Sequence, residues 1–101
     1  MDLDNWMIKQ KLFSEKTFGP GARVEGLLKH IEKEVEEVRK KPQDIYEWID
    51  IAILALDGAW RAGYTPEQVS SALKAKQKEN IYRRRWPDKP PSQDEAGHHI
   101  K

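Results

Sequence analysis

Two carboxylate pairs, Glu34 with Glu37 and Glu47 with Asp50, are the residues of this chain best suited to chemistry. Each pair has the three-residue spacing that sets side chains next to one another on a helix. Asp50 stands inside the apolar run Trp48-Ile49-Asp50-Ile51-Ala52-Ile53-Leu54-Ala55-Leu56. That setting predicts burial. An unpaired buried carboxylate costs several kcal/mol, so Asp50 is expected to have a basic partner, a metal or a proton. Two such pairs brought together by antiparallel helices would repel one another without a cation. An all-oxygen donor set suits a hard divalent ion, and magnesium characteristically shares a few carboxylates with waters and substrate phosphates.

Bland readings compete with this one. On a helical wheel begun at Val24, the stripe of Val24, Leu27, Leu28, Ile31, Val35 and Val38 centres near ~340°, with Glu34 at about 280° and Glu37 at about 220° on one flank. Arg23 and His30 share that flank, whereas Glu32 and Glu36 fall on the other side and read as solvated. Glu-x-x-Glu is common on solvated helix faces. Glu47, three residues after Asp44, has the position that completes a capping box. His30 reads as a surface or hydrogen-bonded histidine. His98 stands three residues after Glu95, but the proline-rich setting makes that metal-ligand spacing accidental.

A cationic face complements the acids. Val69 and Leu73 set the inward line of the last helix, and the same line continues to Lys76, Asn80 and Arg83. An ammonium, an amide and a guanidinium at i, i+4 and i+7 offer donors suited to phosphate oxygens. Asp57 follows Asp50 two turns later on nearly the same line. Arg84 and Arg85 read more simply as complements of the helix C-terminal dipole.

Four helices must position these groups. The first is expected over about Asp4 to Glu15, before the loop Thr17-Phe18-Gly19-Pro20-Gly21-Ala22-Arg23, where glycines flank a proline. The second is predicted from Arg23 to about Lys40. The third begins at its N-cap Asp44 and runs to about Ala62, closed by Gly63. The fourth opens on Thr65-Pro66-Glu67-Gln68, a capping box with proline at the first helical position, and is expected to reach Arg84 or Arg85. The expected organisation is one domain over 1–86 and a proline-rich polar tail over 87–101.

The chain has 101 residues, a formal net charge of +1 and no cysteine. A domain this small is often supplemented by self-assembly, so a homodimer or homotetramer is expected. The near-neutral balance makes nucleic acid an unlikely partner, and the missing cysteine removes disulfides, thiolate zinc sites and thiol nucleophiles. No stretch reaches the roughly 18 apolar residues of a membrane span, and the start MDLDNWMIKQ lacks an apolar signal core, so a cytoplasmic location is expected.

Glu34-x-x-Glu37 followed by Glu47-x-x-Asp50 resembles the metal signature of the MazG-like all-α nucleoside triphosphate pyrophosphohydrolases, with Lys33 where that signature opens on a glutamate. Lys16-Thr17-Phe18-Gly19-Pro20-Gly21-Ala22-Arg23, Glu47-Trp48-Ile49-Asp50-Ile51, Ala55-Leu56-Asp57-Gly58-Ala59-Trp60-Arg61 and Trp86-Pro87-Asp88 are similar to the phage and bacterial dATP/dGTP diphosphohydrolases. Some members, MazZ, accompany phages that replace adenine with 2-aminoadenine. The resemblance implies a four-helix bundle, assembled as a homo-oligomer, that cleaves dGTP or dATP to the monophosphate and pyrophosphate. It implies two or more Mg²⁺ or Mn²⁺ ions on Glu34, Glu37, Glu47 and Asp50, and substrate contacts from Arg23, Asp57, Lys76, Asn80 and Arg83. Glu37, with Glu34, is expected to handle the attacking water. The rival readings are a non-catalytic helical module that binds nucleic acid or an acidic partner through its basic last helix, and a di-iron bundle, for which histidine ligands are lacking.

Overall fold

The computed structural model describes residues 2–94 and 96–97. Glu95 and His98 lie outside the described residues, and the tail is described only in part. The regular elements are α1 (Leu3–Phe18), α2 (Val24–Lys40), α3 (Ile45–Arg61) and α4 (Pro66–Tyr82). The protein is all-α, and among the described residues no helix is long and apolar enough to cross a membrane.

Local chemistry accounts for most boundaries. Asp2 starts α1 by accepting from the backbone amides of Asp4 and Asn5, so the helix begins one residue before the predicted Asp4. It also continues to Phe18, because nothing before Gly19 (φ 89°) breaks the backbone. Asp44 caps α3, its Oδ1 accepting from Tyr46 N at 3.0 Å. The box at α4 is complete and reciprocal: Thr65 N donates to Gln68 Oε1 at 2.9 Å, and Gln68 N to Thr65 Oγ1 at 3.1 Å. Helix α4 stops at Tyr82, short of the predicted Arg84. Beyond it, the amides of Arg83 and Arg84 both donate to the carbonyl of Glu79, a tightened ending in which one acceptor serves two donors.

The chain divides into two compact units, Met1–Ser70 and Ser71–Lys101. In the first, α3 packs against both α2 and α1. A short connection joins α2 to α3 as a helical hairpin, held where Trp48 Nε1 donates to Pro42 O at 2.9 Å. At the far end Gly58 lets α2 approach, since a Cβ there would stand 3.2 Å from Leu27 Cδ2. Met7 and Trp60 pack with Val69, from the first turn of α4, and Leu3, Trp6, Leu56 and Ala59 surround them. In the second unit Trp86 Nε1 donates to Asn80 O at 2.6 Å, and Arg84 Nε pairs with Glu79 at 2.9 Å.

The core is small. Among the described residues six apolar side chains are buried, whereas fifteen large ones are exposed, including Ile45, Tyr46, Trp48 and Ile49 at the start of α3. Leu73, expected to face inward, is 46% exposed.

Candidate active site

The hairpin geometry brings the two carboxylate pairs together. Glu34 from the middle of α2 and Glu47 and Asp50 from the first turns of α3 each offer a carboxylate oxygen within 4.8 Å of the others. Glu37, one turn beyond Glu34, stands outside that set but within reach of its field. Glu47 shows the consequence: desolvation, then the like charges of Asp44, Glu34, Glu37 and Asp50, push its carboxyl above the ordinary value.

The side chain of Glu47 makes no hydrogen bond among the described residues, so it does not complete the capping box that its spacing allows. Glu34 and, at the edge of the cluster, Glu37 have basic side chains beside them. His30 Nε2 lies 3.6 Å from Glu34 Oε1, and Lys40 Nζ 4.0 Å from Glu37 Oε1. Glu47 and Asp50 have no ion-pair partner among the described residues. The donor set is all oxygen and crowded with negative charge, which fits a hard divalent ion.

Asp50 is exposed, contrary to the burial its apolar neighbours predict. The reason lies in those neighbours: Trp48 is 54% and Ile49 45% exposed, so the described residues leave the apolar surface around this part of α3 open. The buried carboxylate of α3 is Asp57, at 3% exposure. Its Oδ2 accepts from Ser14 Oγ at 2.8 Å and from Arg61 Nε at 3.1 Å. The Arg61 side chain is equally buried and spends the rest of its guanidinium on the loop after α1 and on Ser14. Its Nη1 donates to Gly19 O at 3.0 Å and Gly21 O at 2.9 Å, and its Nη2 to Ser14 O at 3.1 Å and Ser14 Oγ at 2.8 Å. This single side chain therefore ties α3 to the end of α1 and to the Gly19-Pro20-Gly21 turn, in which both glycines hold positive φ.

That turn delivers Phe18 and Arg23. Arg23 occupies the left-handed region at φ 49°, and its guanidinium lies over the Phe18 ring, 5.4 Å from the centroid. Phe18 meets the His30 ring edge-on at 6.2 Å. Loop, aromatic ring, histidine and Glu34 thus form a continuous series leading to the carboxylates. Beside it opens a cavity of about 300 Å³, bordered by Phe13 and Phe18, by Glu34 and Asp50, and by Asp57.

Of the residues expected to bind phosphate, Lys76 and Arg83 are exposed and Asn80 is partly buried, with its Oδ1 unpartnered. They belong to the second unit. Sequence reasoning missed Ser14 and Arg61, and missed Phe13 as part of the cavity wall. The four-residue spacing of Asp57 and Arg61 in an apolar helix was the available signal, since it is that of a helical ion pair.

No curated protein and no solved structure matches the chain significantly. The family model for dATP/dGTP pyrophosphohydrolase matches residues 6–101, nearly the whole sequence. With all-α architecture and an acidic cluster at the head of a helical hairpin, the chain belongs to the dATP/dGTP pyrophosphohydrolase family, hydrolases that act on the triphosphate anhydride bond, in the MazG-like superfamily.

Proposed function

We propose that this protein is a metal-dependent pyrophosphohydrolase that converts dGTP and dATP to the monophosphate and pyrophosphate. The observation that supports this most is the triad of carboxylate oxygens from α2 and α3, drawn within 4.8 Å with no ion-pair partner on Glu47 or Asp50 among the described residues. Glu34, Glu47 and Asp50, with Glu37 at their edge, would hold Mg²⁺ or Mn²⁺. When bound, such ions neutralise phosphate oxygens and acidify water.

The remaining roles fall to this chain's own side chains. Glu37, outside the tightest part of the cluster, takes the proton of the attacking water, with Glu34 orienting it. The water oxygen bonds to the α-phosphorus, the anhydride bond to the β-phosphate breaks, and its bridging oxygen leaves with pyrophosphate. Lys76, Asn80 and Arg83 bind phosphate oxygens on the strength of donor type and spacing. Arg23 is a further phosphate donor, carried on the loop that Arg61 fixes.

Exposed Ile45, Tyr46, Trp48 and Ile49 beside the acidic cluster support assembly as a homodimer or homotetramer. In a phage setting, acting in host cytoplasm, the dGMP product would feed synthesis of 2-aminoadenine nucleotides.

A panel of the four ordinary dNTPs, assayed for pyrophosphate with Mg²⁺, with Mn²⁺ and with a chelator, tests the reading. Turnover is expected for the purine nucleotides and is lost on chelation. Metal-independent turnover, or equal use of all four, would contradict it.

A further inference from the structure

Among the described residues of the first unit, Asp4 Oδ1, Trp60 Nε1 and Asp57 Oδ1 are buried without a hydrogen-bond partner, and of these residues only Asp57 borders the cavity beside the carboxylates. Its Oδ1 makes no hydrogen bond, while Oδ2 of the same carboxylate is doubly engaged by Ser14 and Arg61. A carboxylate oxygen can only accept, and leaving one buried without a donor is unfavourable. Arg61 cannot turn to serve it, because each of its guanidinium nitrogens is already committed. Asp57 borders the cavity that also holds Glu34 and Asp50, and an occupant of that space is a source from which the missing donor can come.

The rest of the wall indicates what kind of occupant. Phe13 is 55% and Phe18 40% exposed, aromatic surface of the sort on which a planar base stacks. Phe18 is contacted by the Arg23 guanidinium and by the His30 ring. Asp57 lies seven residues beyond Asp50 on the same helix, about 10 Å of rise. That separation passes the sugar of a nucleotide whose phosphates lie at the carboxylate cluster and arrives at its base.

Resting on the nucleotide reading above, we propose that Asp57 Oδ1 is the base-reading group. It accepts an N–H from the edge of a purine whose ring lies against Phe13 and Phe18, while Ser14 and Arg61 act as positioning residues that occupy Oδ2. With Oδ2 occupied by Ser14 and Arg61, only Oδ1 is left to read the base, and the site is satisfied by one N–H. It does not require the paired N1–H and 2-amino donors of guanine, and so admits adenine, which presents only its 6-amino group, as well.

The test compares dATP and dGTP with the triphosphate of 2′-deoxy purine riboside, which has the same ring system and no N–H on its base. Wild-type kcat/KM is expected to be roughly ten- to a hundred-fold lower for the analogue, carried mainly in KM. In Asp57→Asn the amide oxygen keeps Ser14 and Arg61 and the amide nitrogen turns a donor into the cavity. The preference for dATP over the analogue should then vanish or reverse, because N1 accepts in both bases whereas only adenine turns an amino donor toward the new amide donor. Equal wild-type turnover of analogue and dATP would overturn the inference. So would an Asp57→Asn enzyme that loses activity on all three nucleotides in proportion, the mark of a purely structural residue. If Asp57→Asn does not fold, the wild-type comparison decides alone. Failure of the wild type to release pyrophosphate from dATP and dGTP overturns the parent reading instead.

Discussion

Asp50→Asn should lower turnover of purine dNTPs by roughly 10²–10³-fold, because metal assistance contributes several kcal/mol and each 1.36 kcal/mol is a factor of ten. The substitution removes one negative charge from a set of three oxygens that lie within 4.8 Å of one another. Since Asp50 is exposed, no buried charge is relieved, and stability should stay within about 0.5 kcal/mol of wild type. Mn²⁺ titration followed by electron paramagnetic resonance, beside a thermal melt, separates the two quantities. A folded Asp50→Asn protein with wild-type turnover would show that the carboxylate cluster is not the catalytic centre.

Arg61→Leu should have the largest effect on stability, a loss of about 3–5 kcal/mol, because it leaves the buried Asp57 carboxylate without its cation. Only the Ser14 hydroxyl would still donate to it. The same change strips donors from the carbonyls of Ser14, Gly19 and Gly21. For a domain of this size, 1 kcal/mol shifts Tm by about 4–8 °C, so a fall of about 12 °C or more is expected. Arg61→Lys should rescue little, since an ammonium cannot reproduce a planar fork that serves five acceptors. A Lys variant that melts like wild type would show that the loop after α1 is held by something other than this guanidinium.

The two substitutions also separate what the sequence discloses from what it conceals. Helix caps are local and were legible: the Thr65 and Gln68 box and the Asp44 cap form as their spacing predicts. The meeting of Glu34 with Glu47 and Asp50 was legible too, because two helices joined by a short turn have few ways to pack.

Asp50 was misread as buried because periodicity reports which residues are apolar and not what covers them. The surfaces of Trp48 and Ile49 remain open among the described residues. The Ser14, Asp57 and Arg61 knot was concealed for another reason. Its partners are 43 and 47 residues apart in sequence, and a serine on a weakly patterned helix carries no sign of its role. The charge that needed a cation was in α3 as expected, but it was Asp57, and its cation was Arg61 four residues on.

Cleavage at this carboxylate site is expected at the inner anhydride bond of a purine deoxynucleoside triphosphate. Phosphorus-31 NMR of dGTP with Mg²⁺ and catalytic protein reads it directly. The expected spectrum shows the three triphosphate resonances replaced by those of dGMP and inorganic pyrophosphate in equal amounts. Appearance of dGDP with orthophosphate, or an unchanged triphosphate spectrum, would contradict it.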